Sequence, residues 1–181
     1  IIGAAGPAAT QIAVDQDGVL QADHLAQVLA TQPALISVMA ANNETGVMQP
    51  INAIAAASHQ AGALFHCDMV QVAGKQEIAG GDIDLISLSA HKLGGPAGVG
   101  ALVVAPSLDL APLLRGGGQE KGRRGGTENL VGIAGFAAAA RTARANLDDF
   151  TRLAQLRDEF ETALRAAVPA AQVVGGNQQR L

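Results

Sequence analysis

Apolar positions come in short runs broken by polar or glycine-rich segments, and strand-like and helix-like spacing alternate along the chain. QIAV at 11–14 is a candidate strand, and DGVLQADHLAQVLA reads as a turn followed by a helix starting near Ala22 or Asp23. LISVMA at 35–40 is a continuous apolar run of the length expected for a buried strand. Pro50 is placed to open the helix INAIAAASHQAG, because a proline in the first turn forfeits no intrahelical hydrogen bond, and Gly62 is placed to stop it. ALFHCD at 63–68, DLISLS at 84–89 and GVGALVV at 98–104 read as three further strands. Strands alternating with helices predict an α/β fold, a mostly parallel sheet with flanking helices. The 98–104 strand follows its predecessor too closely for a helical crossover. It is expected to run antiparallel and make the sheet mixed.

From Glu128 the spacing becomes helical, through ENLVGIAGFAAAARTARANLDDFTRLAQLRDEFETALRAAV. The pattern predicts one or two long helices, with Thr127 and Glu128 as the capping region. Phe150, Leu153, Phe160 and Leu164 fall on one apolar stripe flanked by Arg, Asp and Glu. Arg141 and Arg144 leave an alanine-rich face and are expected to be solvated or paired. This half reads as scaffold, and no repeat or low-complexity linker separates it from the first.

Composition narrows the picture. The 181 residues suffice for one substantial core. With 49% hydrophobic but only 2% aromatic residues, and no Trp or Tyr, aliphatic side chains must fill it. A formal charge of -4 gives no footprint for a polyanion, so nucleic acid is not an expected partner. No apolar run reaches the length of a membrane span, and no membrane role is expected. A single cysteine excludes an internal disulfide and fits a reducing compartment, hence a cytoplasmic location. With no initiator Met or basic leader, and a tail that stops at VVGGNQQRL, the chain is expected to be part of a longer one.

The chemistry sits at strand ends: ANNETG after the second strand, CDMVQ after the third, SAHKLGG after the fourth. Open α/β sheets bind ligands at the carboxyl ends of their strands. Lys92 could serve as a phosphate counter-charge, as a surface cation, or as an amine that bonds a cofactor aldehyde. In the last case Ser89 and His91 are placed to donate to a phosphate, and Gly94, Gly95 and Gly98 would let backbone approach a bulky ligand. Asp68 could then pair with a protonated ring nitrogen, and Gln71 could reach the ring's edge or its phenolic oxygen. Nucleotide loops are the rival and fit poorly. No G-x-x-x-x-G-K-[ST] occurs, Lys92 precedes its glycines, and no G-x-G-x-x-G follows the first strand.

GGGQEKGRRGG is either a solvated loop or a place where Arg123 and Arg124 counter a phosphate near Thr127. Cys67 precedes Asp68 in a strand, so the two face opposite ways and Cys67 reads as a small buried hydrophobe, not a nucleophile. His66 shares the face of Asp68, whereas His24 and His59 are expected at the surface. No metal-ligand spacing is present.

NNETGVMQP, HCDMVQVAGK, SLSAHKLGGPAGVGAL and GGGQEKGRRGGTENL occur in order within roughly residues 38–136. Together they resemble the class V aminotransferase family, and within it the cysteine desulfurases of the iron–sulfur cluster and nitrogen-fixation type. The resemblance implies a fold-type I pyridoxal-phosphate enzyme, with residues 1–168 as part of its large cofactor-binding domain. Residues 169–181 would be the lead-in to a small C-terminal domain, cut short. It implies that Lys92 carries pyridoxal 5'-phosphate and moves the substrate's proton. Asp68 would hold the ring nitrogen, Gln71 and Asn43 the phenolic-oxygen side, and Ser89 and His91 the phosphate. Thr127 would reach a phosphate in the partner subunit's site, making the working unit a homodimer.

The implied reaction converts L-cysteine to L-alanine and passes sulfur to an enzyme cysteine as persulfide, then to a scaffold or carrier protein. The mobile loop bearing that cysteine has no counterpart here. Selenocysteine lyase, another class V member, or an inactive fragment are the alternatives. Ala97 stands where many relatives have lysine, which reads as loop variation.

Overall fold

A computed structural model describes residues 9–77 and 82–181. The first helix among the described residues, α1 (Ala22–Leu29), buries Leu25, Val28 and Leu29, the one-face spacing of an amphipathic helix. It leads to β1 (Leu35–Met39), then α2 (Ile51–Gln60), then β2 (Leu64–Asp68). Within α2, Ile54, Ala55 and Ser58 are buried, and the Ser58 hydroxyl donates to the Ile54 carbonyl at 2.8 Å, so that the buried polar group is satisfied. Pro50 stands at the N-terminus of α2 and Gly62, at φ +79°, just beyond its end, the left-handed position that favours glycine.

β3 (Leu85–Ser89) runs into a single 3-10 turn, Ala90–Leu93, and returns as β4 (Gly100–Val104). The four strands lie in the order β1-β2-β3-β4. The first three are parallel and β4 is antiparallel to β3, so the sheet is mixed and mostly parallel. Ile36, Phe65 and Cys67 point to one face and join Leu25, Val28, Leu29 and Ile54 in the core. The opposite face carries Ser37, His66, Asp68 and Ser87, alternating with the core residues as strand geometry demands.

Several expectations are corrected. QIAV is not a sheet strand: only Val14 bridges Leu20, across a turn in which Asp15 accepts from the Asp17 and Val19 N–H groups and Gly18 sits at φ +85°. The chain reverses there before a strand can extend. His24 and His59 are not free surface residues. His24 Nδ1 accepts from the Ala13 N–H at 2.9 Å, and His59 Nε2 lies 2.7 Å from Asp84 Oδ2. That same Asp84 oxygen accepts the Phe65 N–H at 2.8 Å, so the carboxylate ties α2 to the start of β2.

The C-terminal helices are two, α3 (Leu130–Ala145) and α4 (Asp149–Ala167). The cap of α3 is Asn129, not Thr127 or Glu128: its side-chain oxygen accepts the Gly132 N–H at 3.0 Å, as a cap requires. Small residues let α3 lie close on the preceding segment. Gly132 meets Val99, Gly135 meets Pro96, and a Cβ at Gly74 would stand 2.7 Å from the Ala143 methyl. The apolar stripe of α4 does not enter the core. Leu153, Leu156 and Phe160 are exposed, the last at 65%.

Candidate active site

Because β1, β2 and β3 are parallel, their carboxyl ends share one edge, where Met39 pairs with Asp68 and Asp68 with Ser87. Asn43, Asp68, Gln71, Ser89, His91 and Lys92 all follow or terminate these three strands. β4 begins at the same edge, with Gly100 opposite Ser89. The 94–99 loop therefore lies there too.

Local hydrogen bonds hold the side chains of Asn43, Asp68, Ser89 and His91. Asn43 is in a turn where Asn42 Oδ1 accepts the Glu44 and Thr45 N–H groups, and Asn43 Nδ2 donates to Glu44 Oε1 at 2.8 Å. Asp68 Oδ1 accepts the Val70 N–H at 3.0 Å, which orients the half-buried carboxylate at the strand end. Gln71 sits in the following turn, closed by Val72 and Ala73 N–H groups on the Met69 carbonyl. Ser89 Oγ and His91 Nδ1 are 2.9 Å apart. Lys92 is exposed on the 3-10 turn, which Gly94 ends at φ +82°.

The glycines divide in purpose. At Gly98, φ is +75° and a Cβ would meet nothing within 4 Å, so that side of the loop is open. A Cβ at Gly95 would instead lie 3.0 Å from the Ala90 carbonyl and 3.1 Å from Ala139. Gly95 serves the packing of α3, a correction to its expected role in ligand approach.

Burial controls the charges on the sheet. His66 lies between Ser37 Oγ (2.7 Å from Nδ1) and Ser87 Oγ (2.8 Å from Nε2). Desolvation lowers its pKa, partly offset by the charge of Asp68. Neutral imidazole suits two hydroxyl neighbours, since one can donate while the other accepts. Cys67 is fully buried, and burial followed by the Asp68 charge pushes its thiol up to about 12. A thiol so placed is not a nucleophile.

Sequence reasoning missed Lys75. It lines a cleft of about 370 Å³ together with Lys92, Leu93, Ala143 and Asn146. Burial and then the charge of Lys92 lower the pKa of Lys75. No local sequence signal marks it: Gly74, at φ +75° against Leu93 and Ala143, precedes it only as the folded chain shows.

Thr127 is not brought to Lys92. It precedes α3 at the end where Gly132 meets Val99, whereas Ala143, near the other end, flanks Gly74 together with Leu93. The helix between Gly132 and Ala143 rises about 16 Å. Arg123 and Arg124 bind main chain: Arg123 donates to the Leu108 carbonyl at 3.2 Å, and Arg124 to Gly126 at 2.8 Å and Thr127 at 3.4 Å. Among the described residues, no group of three or more His, Cys, Asp or Glu could hold a metal. No helix there is long and apolar enough to cross a membrane.

The sequence pattern of the aminotransferase class-V family matches residues 3–180. The chain belongs to that family. This class V chain is 50% identical over 173 residues to a cysteine desulfurase of Klebsiella pneumoniae, covering 94% of the chain and 44% of the relative. It thus spans less than half of that relative's length. Among solved structures, a NifS-like protein of Rickettsia africae is 34% identical with a TM-score of 0.87, over 94% of this chain and 49% of that one. SspA in complex with cysteine is 36% identical with a TM-score of 0.68, over 73% and 39% respectively.

Proposed function

We propose that this class V chain is the cofactor-bearing part of a pyridoxal-phosphate-dependent cysteine desulfurase. The observation that carries the reading is the shared carboxyl edge of three parallel strands. That edge sets a carboxylate, a hydroxyl–imidazole pair and a primary amine beside an open glycine loop. This donor set suits a phosphorylated pyridine aldehyde. Asp68 would take the ring nitrogen, Asn43 and Gln71 the phenolic-oxygen side, Ser89 and His91 the phosphate, and Lys92 the aldehyde carbon. When bound, the cofactor supplies an electron sink that labilises bonds at the amino acid's α- and β-carbons.

Lys92 would then move a proton at the substrate's Cα, and Asp68, fixed by the Val70 N–H, would keep the ring nitrogen protonated. L-cysteine loses its sulfur by C–S cleavage and gains a proton at Cβ to become L-alanine, and the sulfur passes to an enzyme thiolate as persulfide. Cys67 is the single cysteine of this sequence and is buried, so the acceptor is a cysteine outside it. Thr127, exposed at the far end of α3 from Lys92, suits a phosphate contact in the second subunit of a homodimer. A scaffold or carrier protein would take the persulfide sulfur.

The test is an absorbance titration of the full chain with pyridoxal 5'-phosphate, beside Lys92→Ala. The expected result is a band near ~410–430 nm, fixed by borohydride onto Lys92 and missing from the variant. A folded chain without a Lys92-borne adduct would overturn the reading.

A further inference from the structure

The turn that presents Asn43 is held from far along the chain. Residues 40–49 form a tight hairpin in which the Asn42 N–H donates to the Val47 carbonyl at 2.9 Å, the Gly46 N–H to Asn42 at 3.0 Å, and the Gln49 N–H to Ala40 at 2.9 Å. The C-terminal segment lays a third strand against it. The Leu181 N–H donates to the Gly46 carbonyl at 3.0 Å and the Met48 N–H to Gln179 at 2.9 Å, while Val47 and Arg180 pair antiparallel. Val47 is fully buried, Gly175 packs on it at φ +66°, and Gln178 Nε2 reaches Asp17 Oδ2 at 3.2 Å.

Two main-chain bonds are a weak hold for a short strand, since an isolated ribbon of this kind is marginal in water. The additional hold is ionic and partly buried. The Arg180 side chain, 8% exposed, forks onto Glu161 of α4, with Nη1 to Oε1 at 2.7 Å and Nη2 to Oε2 at 2.9 Å. One turn earlier on α4, Arg157 Nη1 donates to the Leu181 carbonyl at 2.7 Å. A bidentate pair fixes direction as well as distance. A slip of one residue would also carry Arg180 to the other side of its strand, away from Glu161. Register on the hairpin is therefore coupled to α4.

We propose that Arg180, latched to Glu161, is a positioning residue: it fixes the 179–181 strand in register on Gly46–Met48 and so holds the turn carrying Asn43. Its consequence for the cofactor rests on the reading of Asn43 given above. The latch itself does not.

The experiment measures amide hydrogen exchange in the full chain for the wild type, Arg180→Met, Arg180→Lys and the exchanged pair Glu161→Arg/Arg180→Glu. In Arg180→Met the Gly46, Met48 and Leu181 amides should exchange about tenfold faster or more, since breaking a part-buried bidentate pair leaves Glu161 without its partner and the strand without its latch. The Met69 and Asp84 amides, bonded within the sheet, should hold their rates and show that the fold is intact. Arg180→Lys keeps the charge but not the fork and should fall between. The exchanged pair should recover part of the protection. Unchanged exchange at the hairpin, or equal acceleration in the sheet, would overturn the latch.

A parallel titration with pyridoxal 5'-phosphate separates the latch from the reading of the site. Weaker binding in Arg180→Met, about threefold or more for a loosened contact, with the Lys92 adduct still formed, supports positioning of Asn43. Unchanged binding alongside a released hairpin would overturn that consequence. Absence of any Lys92 adduct in the wild type would sink the functional reading, and the exchange rates would still decide the latch.

Discussion

The two halves of the chain bury their apolar residues very differently. Among the described residues, the buried hydrophobic side chains lie between Leu25 and Ala90, in α1, α2, the sheet and the turns between them. Beyond Ala90, α4 buries none and α3 buries only Gly132, while Leu130, Val131 and Phe160 stand 71%, 87% and 65% exposed. Yet both halves show clear hydrophobic patterning in the sequence. Periodicity reports that a face is meant to be covered; it does not report by what. In the sheet half the cover is α1 and α2. Such large exposed patches elsewhere mark surfaces built for contact.

Two truncations of the same chemistry, one in each half, should differ most in their cost. Phe65→Ala removes a fully buried ring and is expected to cost about 3–5 kcal/mol. Phe160→Ala removes a ring already in solvent and should change stability by no more than about 0.5 kcal/mol. Urea unfolding of both variants checks the contrast. Comparable losses would mean that α4 carries a core of its own.

A smaller effect separates the polar ties of the sheet half from its apolar packing. Burial pushes the Asp84 carboxyl up, but the Phe65 N–H and the His59 ring outweigh it and leave its pKa below the ordinary value. A carboxyl lowered on folding contributes stability that is complete above its unfolded pKa and is lost as pH falls through the folded one. Asp84→Asn should cost about 1.5–3 kcal/mol at pH 7, the range for hydrogen bonds to a charged group. It should also flatten the loss of stability on acidification. Urea midpoints at neutral and acid pH measure both, and an unchanged acid slope would assign that slope to other carboxylates. Glu161 titrates with the same sign, lowered chiefly by the Arg180 hydrogen bond, so Arg180→Met must be compared alongside.

What the sequence made legible follows the same division. The three parallel strands, the antiparallel return and the polar strand ends were readable because each depends on neighbours in sequence: apolar runs, Pro50, Gly62, and too short a link before β4. Cys67 and Asp68 on opposite faces followed from strand geometry alone. The QIAV segment and the surface assignment of His59 failed because tertiary partners decided them, a turn stapled by Asp15 and a carboxylate 25 residues away. The Asn129 cap was missed by two residues, since Thr127 and Asn129 are both capping types and stand close together before the same apolar run. Neither Lys75 nor the Arg180–Glu161 pair left a local signal. Both depend on where distant segments meet.

The smallest effect tests that meeting point directly. The cleft holding Lys75 and Lys92 has one wall from the sheet half, at Gly74 and Leu93, and the other from the helices, at Ala143 and Asn146. The two amines share that cleft, and a cation beside Lys92 draws the anionic phosphate of the cofactor toward that amine. Lys75→Met keeps the side-chain length and removes the charge. Adduct formation between pyridoxal 5'-phosphate and Lys92 at neutral pH should then slow by about two- to threefold, the scale of a partly exposed charge pair. The difference should shrink at high salt, which screens the pair. A rate unchanged at low salt would mean that Lys75 fills the cleft without acting on Lys92. A slowing that high salt leaves intact would mean that the methionine acts through packing and not through the lost charge.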